Sequence, residues 1–261
     1  MSKNFTNVLI EDAIAIVEID HAPANTLSSA CIAELREVFN NLSNDKQVKA
    51  IILTGAGRFF VAGADIKEFV AAFGNEDKGL DMAVAGQAIC DEIENMKKPV
   101  IAAINGACLG GGLELAMGCH YRIAVPDAIL GLPELKLGLI PGFGGTQRLS
   151  RLTGTATALE LILTSKQLKG KEAKEVGIVQ LVVSPEELLP SAKTIAKAFI
   201  EGKSMTSITR AVECIIGGAN ESLADGLERE RSRFAELFLT DDAKEGVQAF
   251  IEKRKPLFTH K

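Results

Sequence analysis

Val100-Ile-Ala-Ala-Ile104-Asn-Gly-Ala-Cys-Leu-Gly110-Gly-Gly-Leu-Glu114-Leu-Ala-Met117 passes from an apolar run, through three consecutive glycines, into a second apolar run carrying one carboxylate. The first part predicts a short strand, because an almost continuous aliphatic run suits a sheet covered on both faces. The second predicts a helix. Glycines at the junction let a ligand approach the backbone closely. The helix start adds unpaired N–H groups at the positive end of a dipole, an anion site. The same spacing also suits a tight strand-to-helix turn with no ligand. Glu114 falls in the first helical turn, where a carboxylate pairs with the dipole. Its apolar neighbours imply burial, however, and a buried carboxylate needs partners or a task.

Toward the N-terminus, Val8–Ile10 and Ile14–Ile19 read as two strands of a hairpin turning at Glu11-Asp12. Ser28 or Ser29 caps a helix that places Ile32, Leu35, Phe39 and Leu42 on one face. Val48–Thr54 is another covered strand, and a second helix carries Met82, Ile89, Ile93 and Met96 before Pro99 stops it. Strand, helix and covered strand in succession argue for right-handed crossovers in an α/β fold. Toward the C-terminus, Arg122–Val125 and Ile129–Gly131 are short strands, turn-rich sequence follows, and Ile178–Val183 is the last strand. Pro133-Glu134-Leu135 reads as proline at the first position of a short helix. Beyond Pro185 only helices are expected. Leu223, Leu227, Phe234 and Phe238 keep helical spacing, and Thr240-Asp241-Asp242 opens the final helix. A boundary near residue 200 divides a core, residues 1–200, from a helical appendage, residues 201–261.

Composition narrows the function classes. Among 261 residues the net charge is −5, so no whole-chain basic field attracts nucleic acid or an anionic membrane. One tyrosine and no tryptophan leave few platforms for stacking bases. Cys31, Cys90, Cys108, Cys119 and Cys214 are odd in number and none has CxxC spacing, which favours reduced thiols over a zinc site. No apolar run has the length of a membrane span, and Met1–Thr6 lacks a signal core, so the expected location is the cytoplasm. A dinucleotide site fits poorly: Gly55-Ala-Gly57 lacks a third glycine and leads into Phe59-Phe60. His21, His120 and His260 are scattered without a triad, and His120 reads as structural. Glu114 and Glu134, following a glycine-rich junction, form a pair able to divide acid and base roles.

Longer motifs connect these pieces. Ala62-Gly-Ala64-Asp65-Ile66-Lys67, Asn105-Gly106 through Gly110-Gly-Gly-Leu-Glu114-Leu-Ala, Pro133-Glu134, and Pro141-Gly-Phe-Gly-Gly-Thr-Gln-Arg148-Leu resemble the crotonase superfamily, as do the tail segments Thr240–Gly246 and Glu252–Lys255. The resemblance runs nearly end to end and is strongest to enoyl-CoA hydratases, because both glutamate positions are filled. It implies a spiral of ββα units with a C-terminal helical trimerisation region, in homohexamers built as two stacked trimers. It implies that the amides of Ala64 and Gly111 form an oxyanion hole for an acyl-CoA thioester. Glu114 would then activate water at C3 while Glu134 protonates C2, with no metal or redox cofactor. It also implies CoA contacts at Arg58, Ala62, Asp65, Ile66 and Lys67, and at Lys253 and Phe258 toward a neighbouring subunit. Phe234 would wall the acyl pocket. Residues after Lys67, through Phe73 and Gly79, are expected to form a mobile pocket wall. The alternatives are a Δ3-Δ2 enoyl-CoA isomerase, a methylglutaconyl-CoA-type hydratase, and a non-catalytic acyl-CoA- or RNA-binding scaffold.

Overall fold

The computed structural model describes residues 4–260. The chain starts with the expected hairpin, β1 (Thr6–Glu11) and β2 (Ile14–Ile19), paired antiparallel. Ser28, not Ser29, caps α1 (Ser29–Asn44), its side chain accepting from the N–H of Cys31. The buried face of α1 holds Ile32, Leu35, Phe39 and Leu42, as their spacing predicts. Next come β3 (Ala50–Gly55), β4 (Phe59–Val61), α2 (Ile66–Ala72) and α3 (Glu76–Glu94). The expected strand from Val48 begins two residues later, and Met96 lies beyond the end of α3 though still in the core. The deciding stretch forms β5 (Val100–Ile104), β6 (Ala107–Leu109) and α4 (Gly111–Gly118), with every residue of β5 and α4 buried.

A third turn repeats the pattern with β7 (Tyr121–Ala124) and β8 (Ile129–Gly131). A single 3-10 turn follows, Glu134–Leu137; Pro133 precedes it as its cap, because its backbone has not yet entered helical conformation. Two helices the turn-rich reading passed over come next, α5 (Gly145–Thr153) and α6 (Thr155–Leu163). Then come β9 (Leu168–Lys169), α7 (Gly170–Glu175) and β10 (Leu181–Val182), the last much shorter than Ile178–Val183. The rest is helical: α8 (Leu188–Ile200), α9 (Met205–Gly218), α10 (Leu223–Leu237) and α11 (Asp241–Ile251), the last capped by the Thr240 hydroxyl.

The strands form two sheets, ordered β1-β2-β3-β5-β7-β10 and β4-β6-β8-β9. Each turn of chain sends its first strand to the larger sheet and its second to the smaller, then crosses back by helix, which is a spiral of ββα units. Pairing is parallel from β2 through β10 in one sheet and from β4 to β8 in the other. That is why β3 and β5 are buried along their whole length and contain no alternating polar residues. Helix α8 lies across β2, β3, β5 and β7, while α4 packs between the smaller sheet and helices α3 and α5. Helices α9 and α10 pack mainly on each other, and none of their residues is buried. Among the described residues no helix is long and apolar enough to cross a membrane.

Candidate active site

The spiral brings the ends of its first three ββα turns to one side of α4, around a cavity of about 650 Å³. Ala62, Gly63 and Ala64 enter from the end of β4, Gly110, Gly111 and Glu114 from the start of α4, and Pro133 and Glu134 from the 3-10 turn. Apolar side chains of α2, α3 and the loop before α5 close the rest, among them Phe69, Phe73, Met82, Leu139, Ile140 and Phe143.

Two residues of the lining, Ala64 and Gly111, carry uncommitted backbone amides. Leu27 pairs with the segment through its N–H to the Gly63 carbonyl and its carbonyl to the Asp65 N–H, bracketing Ala64. Gly111 is the first residue of α4, where no intrahelical acceptor exists. Among the described residues neither the Ala64 nor the Gly111 N–H donates to a protein acceptor. The two are close, since a side chain on Gly111 would begin 3.6 Å from the Ala64 nitrogen. Two uncommitted donors converging at a helix start are suited to hold an oxygen that gains negative charge.

Glu114 is only 1% exposed. Its Oε1 accepts two backbone N–H groups, from Phe143 at 2.8 Å and Gly145 at 2.7 Å. Burial pushes its carboxyl up to about 7; the Gly145 and Phe143 amides and Arg148 pull it down, and the nearby Glu134 carboxylate raises it. Glu134 is raised as well, by burial. Its Oε2 is buried without a hydrogen-bond partner among the described residues, and its Oε1 lies 2.7 Å from where a side chain on Gly110 would begin. Gly110 has φ +51, so this position combines a left-handed backbone with no room for a Cβ. Both carboxylates therefore face the cavity, one gripped by amides and one ungripped.

The framework behind them is polar and local. The buried Arg122 guanidinium donates to the Cys119 carbonyl at 2.5 Å and to Ile178 at 2.7 Å, fastening the C-terminal end of α4. His120 accepts from the Val100 N–H through Nδ1 and donates from Nε2 to the Glu94 carbonyl, a neutral tautomer with a structural task. Asn25 and Asn105 donate to carbonyls of Ala56, Gly57 and Phe59 and so shape the turn that feeds Ala62–Ala64.

Of the expected contact residues, Ala62, Ala64, Ile66, Gly111, Glu114 and Glu134 line the cavity. Asp65 does not: its carboxylate caps α2, accepting from the Lys67 N–H at 3.0 Å. Arg58 and Lys67 are exposed outside the lining, with the Arg58 guanidinium 5.1 Å over the Phe59 ring. Phe234, Lys253 and Phe258 do not line the cavity within this chain. Phe234 is 62% exposed on α10, edge-on to Phe238, and Phe258 packs beside Gly246 of α11. The apolar residues of α10 pack on α9, yet none of them is buried among the described residues. Sequence reasoning missed the Phe143 and Gly145 amides; the glycine run before α5, rich in unpaired N–H groups, was the available signal.

A cavity that pairs a buried and a half-buried carboxylate with two uncommitted amides at the heart of a ββα spiral defines an enzyme site for acid–base chemistry on a carbonyl compound. Comparison with known proteins agrees. A family profile described as enoyl-CoA hydratase/isomerase matches residues 9–261. A probable enoyl-CoA hydratase of Bacillus subtilis is 49% identical over 98% of each chain. A short-chain-enoyl-CoA hydratase of Clostridium acetobutylicum is 43% identical over 95% of this chain and 96% of its own. The crystal structure of an enoyl-CoA hydratase from Bacillus anthracis superimposes with a TM-score of 0.92 at 38% identity, covering 98% of this chain and 100% of that one. The chain belongs to the enoyl-CoA hydratase/isomerase family.

Proposed function

We propose that this enzyme is an enoyl-CoA hydratase that adds water reversibly and syn across the double bond of a trans-2-enoyl-CoA, giving the 3-hydroxyacyl-CoA, with Glu114 and Glu134 dividing the proton transfers. The observation that carries the assignment is the contrast between the two carboxylates. Two like charges this close favour one shared proton. Backbone amides grip the Glu114 carboxylate, whereas Glu134 Oε2 has no partner among the described residues and is open to exchange a proton with substrate; hydration starts with Glu114 charged and Glu134 protonated. Glu114 then takes a proton from water as its oxygen bonds to C3. The C2–C3 electron pair moves toward the thioester oxygen, where the Ala64 and Gly111 amides stabilise the developing enolate. Glu134 delivers its proton to C2, and the original charge state returns when the pair exchanges a proton with solvent. One fixed donor of this kind contributes roughly 3–4 kcal/mol in other enzymes, and each proton transfer about 10²–10⁴-fold.

No metal or redox cofactor is needed for these steps. The same proposal assigns the CoA contacts to Arg58, Lys67 and, from a neighbouring subunit, Lys253 and Phe258. The assembly is a homohexamer of two trimers and the location cytoplasmic, readings supported by the exposed apolar residues of α10 and α11 and by five free cysteines. The relatives' names favour short acyl chains. The test is hydration of crotonyl-CoA and longer homologues, followed by loss of enoyl-thioester absorbance. Glu114→Gln and Glu134→Gln are each expected to lower kcat by about 10²–10⁴-fold with KM little changed. Full turnover in both variants would remove the assignment.

A further inference from the structure

We infer that Arg148 is a positioning residue for the hydration step: by tying the Phe143 carbonyl to two carboxylates of α3, it holds the loop amides that orient Glu114. The inference rests on Glu114 being the base. The Arg148 side chain is only 11% exposed. Its Nε and Nη2 donate to Glu94 Oε2 at 3.0 and 2.7 Å, Nη2 also to Asp91 Oδ1, and Nη1 to the Phe143 carbonyl at 3.1 Å. The Phe143 residue that accepts from Arg148 through its carbonyl donates to Glu114 through its own N–H. One residue thus connects the guanidinium to the carboxylate.

The loop has further anchors on the same helix. Gln87 Nε2 donates to the Gly142 carbonyl at 2.9 Å, and the Phe143 ring fills the space above Gly86, where a Cβ would be 2.0 Å from it. These contacts hold the loop against α3, but among the described residues only Arg148 hydrogen-bonds to Phe143, one of the two residues whose N–H reaches Glu114. A planar fork with fixed donors can serve Glu94, Asp91 and the carbonyl together, which a lysine ammonium on a flexible stem cannot do in the same geometry. The ionisable groups facing Glu114 are Glu134 from the 3-10 turn, Arg148 from α5, and Cys90, Asp91 and Glu94 from α3 around Arg148. Burial keeps the Cys90 thiol neutral. Of these, Arg148 is the cation that favours the Glu114 carboxylate, and it does so alongside the two amides.

The experiment measures kcat, KM and their pH dependence with crotonyl-CoA for the wild type, Arg148→Gln and Arg148→Lys. A small displacement of a reacting group costs up to about 10²-fold. Both variants are therefore expected to lose kcat by on the order of 10–100-fold, with KM moving less than about threefold. In Arg148→Gln the acid limb of kcat/KM moves to higher pH, because a cation and a loop constraint that favoured the carboxylate are both gone. Arg148→Lys keeps the charge and leaves the limb nearer its wild-type position while kcat stays low. Wild-type kcat and an unmoved limb in both variants would overturn the inference, as would a change confined to KM. If Arg148→Gln fails to fold, Arg148→Lys decides: undiminished kcat overturns the inference and a lowered kcat at unchanged KM supports it. An active wild type that is disabled by Glu114→Gln but indifferent to Arg148 would sink the positioning role alone. Full activity in Glu114→Gln would sink the reading beneath it.

Discussion

Glu114 is held between opposing forces, and its titration follows from their balance. Burial alone would keep it neutral, but two amides at 2.7 and 2.8 Å and a nearby guanidinium favour the charge. With its carboxyl near 7, the base is charged above that pH, so kcat/KM is expected to rise as pH increases through about 7. The position has a stability cost of the opposite sign. A folded-state value raised from 4.5 to about 7 gives a contribution fully present below 4.5 and lost as pH rises through about 7. Glu114→Gln, which can still accept from both amides, is therefore expected to be more stable than wild type at pH 8 by ~1–3 kcal/mol. The difference should vanish near pH 4, and thermal unfolding at the two pH values checks it. Gly145→Ala should cut kcat without abolishing folding, since its Cβ would lie 2.8 Å from Glu114 Oε1 and displace the carboxylate.

At the scale of elements, the proposed mechanism gives α4 two tasks at once: its first amide would face the thioester oxygen and its fourth residue would be the base. Its placement depends on close approach to β4, where a Cβ on Gly112 would sit 2.2 Å from the Val61 carbonyl. Gly112→Ala is expected to cost about 1–3 kcal/mol and much of the activity, read from a denaturant midpoint and a turnover assay. The strand–glycine–helix unit was legible because continuous apolar runs and three glycines are local signals, and the apolar neighbours of Glu114 announced its burial correctly. The caps at Ser28 and Thr240 were equally legible. By contrast, β4 and β6 escaped notice because three residues carry almost no periodicity. Helices α5 and α6 escaped because glycine and threonine dominate their starts. The grip of the Phe143 and Gly145 amides on Glu114 spans 29 and 31 residues, so the glycine run before α5 signals free amides without naming the carboxylate they hold. The Asp65 side chain caps its own helix, a task its place in the motif did not announce.

Across the whole molecule, the exposed apolar residues gather on the C-terminal helices. Phe234, Phe238, Leu239, Val247, Phe250 and Ile251 are each at least 62% exposed, which is costly unless another surface covers them. In the proposed assembly a second chain covers that face, and Phe250→Asp is expected to shift light-scattering mass downward from that of the wild type. The claim on which the rest depends is the division of labour between the two carboxylates, with Glu134 serving C2 and Glu114 serving water. Exchange of the C2 hydrogens of butyryl-CoA in deuterated water isolates one half of it, because a saturated acyl chain with no hydroxyl can exchange but cannot gain or lose water. Followed by proton NMR, exchange should be abolished by Glu134→Gln and retained by Glu114→Gln; exchange that survives in Glu134→Gln, or disappears only in Glu114→Gln, would contradict the account.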